Sequence, residues 1–170
     1  MRTLSLVPLA VALFACSLAD AQVKGSGTAR TEARAVGDFA SVSAGGAVAL
    51  TITVGGATAV SVTADDNVVP LIRTRVQGDR LIIDSTDSYT AKTPVRIAIT
   101  TPRLTALGLS GATTATAAGV TGDRLAIDLS GASRASLAGA AAAVTIEASG
   151  AAEVDATKLA AQDATVAASG

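Results

Sequence analysis

The chain has 170 residues, a net charge of −1 and 49% hydrophobic residues, but only 2% aromatic residues and no histidine. That is the length of one domain. Charges scattered singly, with almost nothing to stack on bases, exclude nucleic-acid binding. The missing histidine removes Ser-His-Asp and Cys-His catalysis and most zinc sites.

The first residues read as a processing signal. Met1-Arg2-Thr3 is a short basic start, and Leu4 to Ala15 is an apolar run too short to span a bilayer. Ala19-Asp20-Ala21 fits the small-x-small cleavage rule, so residues 1–21 are expected to be a signal peptide with a mature start near Gln22. Leu13-Phe14-Ala15-Cys16 offers a second reading, a lipoprotein anchored at Cys16. Both readings make the protein exported, to the periplasm, the outer surface or the medium. Both leave the folded body without a cysteine and therefore without a disulfide. No later apolar run is long enough to cross a membrane.

Residues 22–37 are small, polar and aperiodic, and are expected to form a flexible lead-in to a domain over 38–170. From Phe39 the pattern alternates with period two. Val48, Leu50 and Ile52 fall on one face, and Gly55-Gly56 ends the run. Val60 and Val62 continue it to a turn at Asp65-Asp66-Asn67. Val68 to Ile72 contains Pro70 and is expected to be a short turn of helix or an irregular crossing. Gln77-Gly78-Asp79 marks a hairpin before Leu81-Ile82-Ile83. Asp84 to Lys92 is expected to be a polar loop. Val95, Ile97 and Ile99 form a further strand ended by Pro102.

The second half repeats. Ser-Gly recurs at Ser110-Gly111, Ser130-Gly131, Ser149-Gly150 and Ser169-Gly170, at intervals of 20, 19 and 20 residues. One residue before each Ser lie Leu109, Leu129, Ala148 and Ala168. Three before lie Leu107, Ile127, Ile146 and Val166, and five before lie Thr105, Leu125, Val144 and Ala164. These odd offsets should face inward, and the residues between them outward. A second, shorter strand is expected after each Ser-Gly, at Ala115, Ala135 and Val154. A unit of about 20 residues with two short strands and two turns cannot bury its apolar face alone, whereas stacked copies can. The expected fold is therefore all-β and solenoid-like. Glycine suits the sharp bend at each corner, and the adjacent serine can bond the turn backbone.

With these motifs in hand, the sequence resembles the auto-transporter adhesin head GIN domain family from about Val36 to Gly170. The resemblance rests on three stretches. Val36-Gly37-Asp38-Phe39-Ala40-Ser41-Val42 with Val48 to Thr53 is similar to the opening strands. Val62 to Ile72 with Gly78 to Ile83 is similar to the middle. Leu109-Ser110-Gly111-Ala112 and its copies are similar to the Ser-Gly repeats. The resemblance implies a right-handed β-helix-like fold of pectin-lyase type without a retained catalytic site, and a role in adhesion.

Candidate sites are few. No phosphate loop followed by Lys-Ser or Lys-Thr is present, and no dinucleotide fingerprint, so no cofactor is expected. Asp128 and Glu147 hold equivalent outward places on neighbouring units, which makes them the best candidates for a paired-acid or metal site. Two solvated acids, eased by Arg124, are the plain alternative. Beyond the leader only Phe39 and Tyr89 are aromatic, Phe39 as a core residue and Tyr89 as a contact residue in its loop. The expectation is a non-enzymatic envelope module whose partner is an envelope or extracellular protein or a glycan. The alternatives are a carbohydrate-binding or carbohydrate-active protein, and a unit that stacks on another copy through its C-terminal edge.

Overall fold

The structure is a computed structural model that describes residues 22–170, so the proposed signal peptide and Cys16 lie outside the described residues. Thirteen strands follow in chain order. They are β1 (Val23–Lys24), β2 (Ala29–Arg34), β3 (Ser41–Ala44), β4 (Ala49–Val54), β5 (Ala59–Asp65), β6 (Ile72–Gln77), β7 (Arg80–Ser85), β8 (Tyr89–Thr90), β9 (Arg96–Thr101), β10 (Ala106–Leu109), β11 (Thr114–Leu129), β12 (Arg134–Ser149) and β13 (Glu153–Ser169). The chain is all-β. A 3₁₀ turn at Val69–Leu71, opened by Pro70, answers the expectation for that stretch, and the β6–β7 pair closes through Gly78 at φ 65°. Among the described residues no helix is long and apolar enough to cross a membrane.

Two sets of strands carry the core, and β11 joins them. Its first half pairs in parallel with β4, and its second half with β10. One set runs β2, β5, β9, β4 and the leading halves of β11, β12 and β13. The other runs β6, β7, β3, β10 and the trailing halves. Strict alternation makes the sets two-faced. In β4 the buried residues are Leu50, Ile52 and Val54, with Thr51 and Thr53 outside. Parallel register then places like on like: Leu107 against Ile127, Ile127 against Ile146, Ile146 against Val166. Each aliphatic side chain is thereby sandwiched between equivalents. This is how a core almost free of aromatics reaches close packing.

The antiparallel strands lie together at one end of each set. β6 flanks β7 there, and β2 and β5 flank β9. Residues 22–37, expected to be a flexible lead-in, supply two of the strands, and that expectation is corrected. β2 had no apolar alternation to reveal it, because its core-side residues are charged. Glu32 and Arg34 stand beside Val62 and Val60, and the Arg34 guanidinium holds Glu32 at 2.9 Å and the Val69 carbonyl at 2.8 Å. Their aliphatic stems cover the end of the core while their heads reach each other or water. Inward charges on an edge strand also discourage pairing with foreign strands.

Two further expectations change. The Ser-Gly segments were read as two short strands each, but β11, β12 and β13 are continuous over 16, 16 and 17 residues. The chain bends near Gly119 and Gly139, yet the parallel ladder carries on across the bend through Val120 to Gly139 and Thr121 to Ala140. Thr105, read as inward-facing, is exposed, and Leu104 is buried in its stead. The Thr105 hydroxyl donates to the Ala40 carbonyl at 3.0 Å, so the segment enters β10 out of phase with the later ones.

Candidate functional site

The trailing halves of the strands build an open groove. Along their outer face the register aligns Ser43, Gly108, Asp128, Glu147 and Ala167 in one row. A second row holds Ser110, Ser130, Ser149 and Ser169. Together they line a groove of 480 Å³. Asp128 and Glu147 are direct partners across adjacent strands, as their spacing predicted, and both are exposed. Neighbouring strands lie about 4.8 Å apart, which is the scale of separation between these two positions along the row. Among the described residues no three His, Cys, Asp or Glu side chains gather to hold a metal.

The corners follow from glycine. Gly111, Gly131 and Gly150 all have φ between 73° and 75°. A β-carbon on Gly111 would stand 2.6 Å from the Gly46 carbonyl oxygen, and one on Gly131 2.9 Å from that of Gly111. The glycines thus stack backbone on backbone, and the row begins at Gly45-Gly46, which sequence reading took for part of an ordinary run. Its signal was there, a Gly pair after an alternating stretch, but it lies outside the 20-residue spacing. The neighbouring serines act on the backbone. Ser130 Oγ donates to the Leu109 carbonyl and Ser149 Oγ to that of Leu129, each at 3.4 Å. The tighter bonds, also missed, come three residues after Ser110 and Ser130. Thr113 Oγ1 donates to the Ser110 carbonyl and Ser133 Oγ to the Ser130 carbonyl, each at 2.9 Å and fully buried. The Ser110, Ser130 and Ser149 side chains stay exposed and keep capacity for a ligand.

Tyr89 does not serve as a loop contact. It lies in β8, pairs with Val23 of β1, and packs half-buried against the core, where burial pushes its phenol up from the usual value. Its strand partner sits in the segment read as flexible, which is why the loop reading failed. Phe39 is a core residue, as expected.

The Asp65-Asp66-Asn67 turn is a clasp. Asp65 is fully buried at the end of β5, and its carboxylate accepts the backbone N–H groups of Gly27 at 3.1 Å, Lys92 at 2.7 Å and Thr93 at 3.1 Å. Burial pushes this carboxyl up, but the Thr93 side chain and these N–H groups together outweigh it and hold the group below its ordinary value. Asn67 donates to the Lys24 carbonyl and accepts from the Ser26 N–H, while Ser26 Oγ donates to Asp66. The clasp joins three stretches of chain far apart in sequence.

Rows of hydroxyls and carboxylates on the outside of stacked strands define an all-β module that meets its surroundings through open faces. The chain belongs to the family described as "Putative auto-transporter adhesin, head GIN domain", which matches residues 38–170. No curated protein matches it in sequence. Solved structures share the fold. A putative adhesin from Bacteroides fragilis is 21% identical, with a TM-score of 0.72 over 86% of this chain and 78% of that one. A putative adhesin from Parabacteroides merdae is 15% identical, with a TM-score of 0.62 over 86% and 80%. A protein from Parabacteroides distasonis described as a putative lipid binding protein is 16% identical, with a TM-score of 0.57 over 86% and 81%.

Proposed function

We propose that the chain is an exported, non-enzymatic envelope module that acts in adhesion, built as a right-handed β-solenoid of about 20 residues per rung. The groove is its contact face. One observation carries the reading. Asp128 and Glu147 stand on adjacent strands beside the exposed serine row, and no histidine or thiol shares the groove. Such a surface offers hydrogen-bond acceptors and donors at a fixed pitch to an extended partner, a glycan or a protein strand, and supplies no nucleophile-base pair.

The test is a glycan and matrix-protein binding screen with the native chain and with the Asp128→Asn/Glu147→Gln double variant. Binding that the double variant weakens supports the groove. Polysaccharide hydrolysis by the native chain that the double variant abolishes would overturn the non-enzymatic reading in favour of a carbohydrate-active one. A second reading, self-association, is favoured by β13, which pairs only with β12 and carries Val166 at 65% exposure. Sedimentation decides it, because a strict monomer at high concentration rules it out.

A further inference from the structure

The two outermost strands of the sheet path, β2 and β6, border a second cleft, of 440 Å³, on which Glu32, Arg34, Arg73 and Arg75 all open. We propose that this cleft is an oxyanion site that takes a phosphate monoester. The arginines are held in place before any ligand arrives. Arg73 Nε donates to Asp84 Oδ1 at 2.8 Å and Arg75 Nη1 to Asp84 Oδ2 at 2.7 Å. One carboxylate thus sets two guanidiniums side by side on β6, and each keeps further N–H groups free. Arg34 spends Nη1 on Glu32 and Nη2 on the Val69 carbonyl, and its Nε is buried without a partner. Arg30, 3.6 Å from Glu32, adds a fourth positive charge.

Four arginines against two carboxylates leave a local surplus of two positive charges in a chain whose net charge is −1. A doubly charged oxyanion matches that surplus. Guanidinium forks match its oxygens in geometry, and side chains already fixed by ion pairs lose little freedom on binding. Free phosphate and a phosphorylated lipid headgroup share this chemistry. The cleft is separate from the serine groove, so it stands or falls independently of the adhesion reading.

The experiment is calorimetric titration of the protein with inorganic phosphate at low salt, alongside Arg73→Gln, Arg75→Gln and Arg124→Gln. Arg73 and Arg75 side chains are 51% and 45% exposed, so the first two variants should keep the fold, which far-UV circular dichroism checks. Each should weaken phosphate binding roughly tenfold, the scale of one lost charge-assisted hydrogen bond. Arg124→Gln, exposed elsewhere on the surface, should leave it unchanged. Co-sedimentation with phosphatidylcholine vesicles, with and without phosphatidic acid, separates the sources. Capture by phosphatidic acid that Arg75→Gln removes assigns a membrane-borne group, and phosphate binding without capture assigns a soluble one. Absence of both overturns the proposal, as does equal weakening by Arg124→Gln.

Discussion

Leu107, Ile127, Ile146 and Val166 occupy one register position on successive strands, yet their exposures run 0%, 1%, 8% and 65%. Truncating each to alanine therefore tests how the stack is held together. Ile127 is sandwiched between Leu107 and Ile146, so its neighbours cannot collapse into the space its side chain leaves. Lost transfer energy plus the residual cavity should cost about 3–4 kcal/mol for Ile127→Ala. Ile146 has a partner on one side only that is itself buried, and Ile146→Ala should cost about 2–3 kcal/mol. Val166 has already left most of its surface in water, and Val166→Ala should cost at most about 0.5 kcal/mol. For a chain of this size the Ile127 variant should melt roughly 10 °C lower than the native chain. Thermal and urea unfolding followed by far-UV circular dichroism measures the series, with an unchanged urea m-value as the check that truncation alone is being read. Equal losses for Val166→Ala and Ile127→Ala would refute the reasoning, because β13 would then be covered in solution.

Gly131→Ala puts a β-carbon 2.9 Å from the Gly111 carbonyl at φ 73° and should cost about 1–3 kcal/mol in the same assay. Gly37→Ala, with nothing within 4 Å, should leave the melting point almost unmoved. Asp65→Asn should lower the melting point near neutral pH by weakening the clasp across residues 27, 65, 92 and 93. The folded Asp65 carboxyl lies below its unfolded value, so its contribution is complete above the ordinary carboxylate range of about 4. It is lost as pH falls through the lower folded value. The gap between native and variant melting points should accordingly narrow in acid, and a gap that widens there would contradict the clasp.

The parallel half of the molecule was legible because its signals are local. Alternation names the faces, and Ser-Gly at near-constant spacing sets the register that brings Asp128 beside Glu147. The rest was written in pairings that sequence period does not carry. β2 hides because Glu32 and Arg34 replace apolar residues on its core side. Tyr89 was misplaced because its partner, Val23, lies 66 residues earlier. Asp65 looked like any turn aspartate, since three of the N–H groups that fill it come from Gly27, Lys92 and Thr93. The arginine cleft escaped for the same reason. Arg34 and Arg73 sit at opposite ends of the sheet path, and no linear pattern joins them.

The glycine row from Gly46 through Gly111, Gly131 and Gly150 also sets what kind of change in length the chain tolerates. Each corner rests directly on the backbone of the one before it, so a single inserted residue between Ser130 and Ser149 turns every following side chain inside out. Insertion of a whole segment of about 20 residues restores the phase and adds one more step to the groove. The reach of the contact face is therefore counted in whole segments, and duplication within the gene is a direct route to lengthening it.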